Sequence, residues 1–218
     1  MSNLSIHEEN FCSFVRNTGC INKWQAMHIL TKYYRLSEGR ANHIIRNLLL
    51  HSYIKAINEE ETLFVVGGLY GKEHFDRSVV EAISICMCLM DADYDLQDDQ
   101  KYKSLLNDIK YARKPANEFD LSFISSGRPY QVMHVRPDEM FKVNVVEQRQ
   151  KEEITRIQRL AKATGFTGPT TIFSFSHGID QDFILDKFET MGLTIPHRIC
   201  FLRSSHIEDY IPVDIYGE

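Results

Sequence analysis

Apolar residues recur at helical spacing through the first third of the chain. Phe11, Phe14 and Val15 mark one helix, which stops at Thr18-Gly19. Asn22 with Gln25 three residues on has the form of a capping box. Behind it, Ala26, Ile29, Leu30 and Tyr33 follow the i, i+3, i+4, i+7 spacing of a single buried stripe. Ser37 is placed to cap a third helix, where Ala41, Ile44, Ile45 and Leu48 repeat that spacing. Arg40, Asn42, His43, Arg46 and Asn47 are left on its outer face. Two alternating runs at 53–57 and 62–66, joined by Asn-Glu-Glu-Glu, read as a hairpin.

The pattern changes after Gly67-Gly68-Leu69-Tyr70-Gly71. This stretch lacks the full G-x-G-x-x-G order and the Lys-Ser/Thr pair of a phosphate loop, and it reads as a domain boundary. A helix follows from about 76 to 90, with Val79, Ile83 and Cys86 on one side. Asp91, Asp93 and Asp95 then match the first ligand positions of a calcium loop. Leu96 stands where such a loop needs glycine and Tyr102 where it needs glutamate, so the segment reads as an acidic connection into a helix containing Leu105, Leu106 and Ile109. Residues 119–135, FDLSFISSGRPYQVMHV, read as two strands around a turn. A long helix is expected from Arg136-Pro137-Asp138 to about Ala163, with Val146, Ile154, Ile157 and Leu160 inward. Then come a strand at 170–175, a helix at 182–191 and a strand at 198–202, and YIPVDIY near the end reads as an edge strand or a tail for subunit contact. Continuous apolar strands separated by helices predict an α/β body whose sheet is covered on both faces.

Composition narrows this picture. With 218 residues, 43% hydrophobic and 25% charged, the chain has the makeup of an ordinary globular protein. Its longest apolar run, around 82–90, is far short of a membrane span. The acidic start, MSNLSIHEENF, lacks the layout of a secretory signal, which gives a cytoplasmic expectation. Five cysteines without a C-x-x-C pair signal neither a disulfide framework nor a zinc finger, and nothing in the sequence calls for a cofactor or a metal.

Charge is distributed unevenly. Between Arg16 and Asn58, seven basic residues face Glu38 alone, a local net charge of +6. The whole chain carries −5, which leaves −11 on the remainder. A basic module joined to an acidic body is the expectation.

Three short helices followed by a hairpin resemble a winged helix-turn-helix domain over residues 1–70. The resemblance implies binding to double-stranded DNA, with Arg40, His43, Arg46 and Asn47 facing the major groove, Lys23 and Lys32 near phosphates and Lys55 on the flank of the wing. The wing tip, Glu59-Glu60-Glu61, departs from that pattern, because phosphate repels it.

The order of elements across 71–218 resembles the PD-(D/E)xK, restriction-endonuclease-like fold with its mixed central sheet. Asp120 fits the motif aspartate, Gln131 a variant of the second position, Glu81 the carboxylate of the first helix, and Met133 occupies the lysine position. A thioether supplies neither charge nor proton, so the resemblance implies a degenerate nuclease domain without catalysis. The layout as a whole is similar to the replication-relaxation family and related families of bacterial conjugative elements, which implies a DNA-binding accessory or regulatory protein. A homodimer is expected with it, since two half-sites raise affinity, and other proteins of the same element are further expected partners.

Two readings compete with this one. One is a metal-dependent nuclease whose lysine has migrated to Arg136, Lys142 or His134. The other is a protein-interaction module. Ser176, His177 and Asp180, close in sequence, read as the loop after a strand.

Overall fold

The computed structural model describes residues 4–67, 75–94, 119–125, 128–156 and 169–217. The acidic stretch beyond Tyr94, the helix expected around Leu105, the glycine-rich segment after Gly67 and the far end of the expected long helix lie outside these residues.

Helix α1 (Ile6–Thr18) starts at a capping box in which the Ser5 N–H donates to the Glu8 carboxylate at 2.7 Å, and it ends at Gly19, whose φ of 89° an L side chain rarely adopts. Strand β1 (Cys20–Asn22) follows at once, and α2 (Lys23–His28) continues into a π-helical turn at Ile29–Tyr33. Asn22 caps α2 reciprocally with Gln25, at 2.7 Å from Asn22 Oδ1 to the Gln25 N–H and 3.2 Å on the return. Helix α3 (Glu38–Leu50) is capped by Ser37. Strands β2 (Ile54–Ala56) and β3 (Leu63–Val66) form the expected hairpin, and β1 adds to it in an antiparallel sheet of order β1-β3-β2. Gly67 closes this unit against the chain above it. A Cβ there would sit 1.9 Å from the Ser52 carbonyl oxygen, so only glycine allows the contact.

Helix α4 (Arg77–Tyr94) is buried nearly all round: Val79, Val80, Ala82, Ile83, Ile85, Cys86, Met87 and Met90 are all inside. On one side it meets Phe14, Ile29 and Tyr33 of the N-terminal unit, and the Gln25 amide donates to the Val80 carbonyl at 2.6 Å and to Ser84 Oγ at 2.8 Å. On the other it covers a five-stranded sheet of order β4-β5-β6-β7-β8. These strands are β4 (Leu121–Ser125), β5 (Arg128–His134), β6 (Thr170–Phe175), β7 (His197–Leu202) and β8 (Val213–Tyr216). The central three, β5, β6 and β7, run parallel, and β4 and β8 flank them antiparallel, so the sheet is mixed.

Helices α5 (Phe141–Arg156) and α6 (Gln181–Met191) are the crossovers between the parallel strands. With them Val143, Val146, Ile184 and Phe188 pack on Met133, Phe173 and Phe175, making the second core. The larger core is continuous from Phe11 through Ile83 to Val132, Ile172 and Leu202. Residues on either side of the expected boundary at 70 therefore share one apolar interior. The segment after β7 returns to the N-terminal unit, where the Asn22 amide donates to the Ile207 and Asp209 carbonyls and Trp24 packs on Tyr210. Cys12, Cys20, Cys86 and Cys200 are buried thiols outside any disulfide and Cys88 is partly exposed. No helix among the described residues is long and apolar enough to cross a membrane.

Candidate functional site

The third helix separates its residues cleanly. Ala41, Ile44, Ile45 and Leu48 are buried, while Arg40, His43 and Arg46 stand in solvent and Leu50 is 78% exposed. Arg40 and Arg46 enter no ion pair among the described residues. Asn42 turns back to the Glu38 carbonyl at 3.0 Å.

Asn47 does not join that face. Its amide donates to Glu8 Oε1 at 2.5 Å and ties α3 to α1. Burial pushes the Glu8 carboxyl up, but hydrogen bonds from Ser5 and Asn47 and the charge of His43 outweigh it and hold Glu8 below its usual range. Lys32 is also drawn elsewhere, with Nζ 3.1 Å from Asp91 on α4. His28 Nε2 at 3.1 Å and the Tyr33 hydroxyl at 2.5 Å complete the set around that carboxylate. Burial again opposes ionisation, yet His28, Tyr33 and Lys32 keep Asp91 lowered. Asn47 and Lys32, expected at the groove and at phosphate, are thus spent on internal contacts. Lys23 is exposed at the start of α2 and Lys55 is half-buried on β2. At the tip of the β2–β3 hairpin, Asn58 Oδ1 accepts from the Thr62 and Leu63 N–H groups at 3.0 Å, and Glu59, Glu60 and Glu61 project into solvent.

The residues expected from the nuclease resemblance divide between two places. Asp120 lies just before β4; it accepts the His134 N–H at 2.6 Å and the Ser78 hydroxyl at 2.6 Å. Burial raises the Asp120 carboxyl above its usual range, against the pull of Ser78, the His134 N–H and the His134 charge. Glu81 on α4 is almost wholly buried, with Arg77 Nε 2.8 Å from one oxygen and His134 Nδ1 3.6 Å from the other. Met133 instead lies in the core beneath α5 and α6, and the Gln131 amide donates to Thr171 Oγ1 at 2.8 Å. Alternation along β5 explains the split, because Val132 and His134 point toward α4 and their neighbours point away. The side chain beside the carboxylates is His134, not Met133 or Gln131. Apolar Tyr130 and Val132, four and two residues before His134, are the sequence signal that marks this face. Of the other cations, Arg136 and Lys142 pair with Glu139.

The expected loop after β6 also acquires a partner. Asp180 caps α6 at the Phe183 N–H, 3.1 Å away, and His177 is exposed. Ser176 leaves both and meets His134 Nε2 at 3.2 Å. Among the described residues no group of three or more His, Cys, Asp or Glu is arranged to hold a metal ion. No family model matches the chain, and no curated protein matches it either.

Proposed function

We propose that this protein binds double-stranded DNA through the outward face of α3, as a regulatory or accessory protein working in the cytoplasm. The observation that carries the reading is the exposed pair Arg40 and Arg46, without an ion pair among the described residues, on a helix whose opposite stripe is locked into the core. A major groove about 12 Å wide accepts one helix, and arginine reads guanine edges in it. His43 lies between the two arginines, and Leu50 offers apolar contact of the kind a thymine methyl group takes. The three helices with a β1-β3-β2 sheet support the winged helix-turn-helix reading of this unit, and the local charge of +6 supplies the attraction to phosphate. Lys23 is the phosphate-contact candidate that remains exposed. The body serves as a scaffold that does not cut DNA, since Met133 is core and His134 and Arg77 both face the buried Glu81. A homodimer on two half-sites fits this role.

Selection of a random duplex library against the full-length protein tests the proposal. Enrichment of a short motif is expected, with Arg46→Ala relaxing the preference at one position at a cost of about 1–3 kcal/mol. A protein that enriches no sequence and retards no duplex at low salt contradicts it.

A further inference from the structure

Behind the sheet's carboxyl edge, three side chains from three separate elements meet in succession. Ser176 follows β6 directly, with Oγ 3.2 Å from His134 Nε2. His134 ends β5, and its other ring nitrogen faces both Ser174 Oγ at 3.5 Å and Glu81 Oε2 at 3.6 Å. Glu81 comes from α4, with a side chain 4% exposed, and its second oxygen is held by Arg77, which is itself anchored on the Ser205 carbonyl at 2.9 Å. The His134 main chain is fixed as well, because its N–H donates to Asp120. A hydroxyl, an imidazole and a carboxylate in this order let the ring take the hydroxyl proton while the carboxylate orients and stabilises the imidazolium that forms.

Ser176 also opens onto space. It lines a cleft of about 360 Å³ with Gly178, Gln181, Phe201, Leu202 and Arg203, at the low end of the range for small-molecule sites. The cleft lies at the carboxyl ends of parallel strands, where open α/β sheets bind ligands. Gly178 has φ 84°, and a Cβ added there would meet nothing within 4 Å. The N–H groups of His177 and Gly178, in the turn immediately after Ser176, donate to no group among the described residues. They are donors on hand for a developing oxyanion. A histidine that only solvated its neighbours would require neither a buried carboxylate behind it nor a serine facing a cleft.

We propose that Ser176, His134 and Glu81 form a hydrolytic site for a small carboxylic ester, an activity separate from DNA binding. Ser176 Oγ attacks the ester carbonyl carbon as its proton passes to His134 Nε2. The carbon–oxygen bond to the alcohol breaks, and the alcohol departs with that proton. Water then attacks the acyl-serine, giving one proton to His134, and the carboxylic acid leaves as Ser176 takes the proton back. The chain at Phe201 and Leu202 closes the floor of the cleft, their side chains being buried in the core, and Gln181 with the Asp214-paired Arg203 forms its polar rim.

The full-length protein treated with a fluorophosphonate probe tests this. One adduct is expected, located on Ser176 by peptide mass spectrometry and absent in Ser176→Ala. His134→Gln should slow labelling and p-nitrophenyl acetate hydrolysis by at least about 10²-fold. Ser204→Ala, on the neighbouring loop, should label like the unaltered protein. Glu81→Gln gives a second test if His134→Gln melts early, because it leaves the serine and imidazole in place and should still slow labelling. No adduct on Ser176 in the folded unaltered protein, or an adduct whose rate ignores both His134→Gln and Glu81→Gln, overturns the proposal.

Discussion

The outer face of α3 and the cluster at the end of β5 are both polar, yet they handle charge in opposite ways. On α3, Arg40 and Arg46 project into solvent with no counter-ion among the described residues, and the helix is held from behind by Ile44 and Leu48. At the strand end, Glu81 is nearly dry and is faced by Arg77 and His134, while Asp120 is satisfied by Ser78 and a backbone N–H. Solvated arginines cost the fold almost nothing and stay available to an external anion. A buried carboxylate is tolerated only because its partners are in place, so its neighbours are committed to geometry. The first surface fits the proposed contact with DNA, and the second backs Ser176, which alone of the proposed triad lines the cleft.

Substitutions can break this contrast from either side. The largest expected effect lies between the two surfaces, at Ile83, which is buried on the helix joining both halves. Ile83→Ala should destabilise the chain by about 2–5 kcal/mol. Because one core runs from Phe11 to Leu202, denaturant unfolding followed by Trp24 fluorescence and by far-ultraviolet dichroism should shift together. Two separate transitions would show that the halves melt independently.

Arg77→Ala comes next. It leaves Glu81 buried with His134 as its remaining side-chain neighbour, and should cost about 1–3 kcal/mol. Arg40→Ala and Arg46→Ala should each change stability by less than about 0.5 kcal/mol by the same denaturation measurement. A large loss of stability at Arg40 or Arg46 would mean that α3 needs its arginines for folding.

The pH dependence sharpens the comparison further. Glu8 and Asp91 are held below their ordinary values of 4.5 and 3.8, so the stability they contribute is present above those values and is lost as pH falls through the lowered ones. Asp120 is raised and acts with the opposite sign, favouring the fold as it takes up a proton. Between pH 6 and pH 3 the denaturation midpoint should fall, less steeply in Asp91→Asn and more steeply in Asp120→Asn. Identical slopes in all three proteins would contradict these assignments.

Much of the architecture was legible because it rests on local pattern. Asn22 and Ser37 cap the helices that their spacing announced, and 170–175 is a strand because its apolar run is continuous. Strand β1 was not legible, since three residues are too few to display alternation. The faces of β5 were legible in principle, because Tyr130, Val132 and His134 alternate with Gln131 and Met133. A family motif aligned on residue order placed Met133 at the site, whereas the pleat places His134 there. Asn47 and Lys32 looked free because Glu8 and Asp91, their partners, come from other helices. The meeting of Ser176, His134 and Glu81 depends on strand order, which spacing along the chain does not encode.

The central claim is that α3 carries the DNA-binding charge and that Lys32 and Asn47 do not. Fluorescence anisotropy of the full-length protein on duplex DNA across a salt series tests it most directly. Arg40→Ala with Arg46→Ala should weaken binding to the preferred duplex at least about tenfold and flatten its sequence preference, whereas Lys32→Ala with Asn47→Ala should leave affinity and salt slope unchanged. An unchanged affinity and preference in the arginine pair, or a greater weakening in the Lys32 and Asn47 pair, would contradict the account.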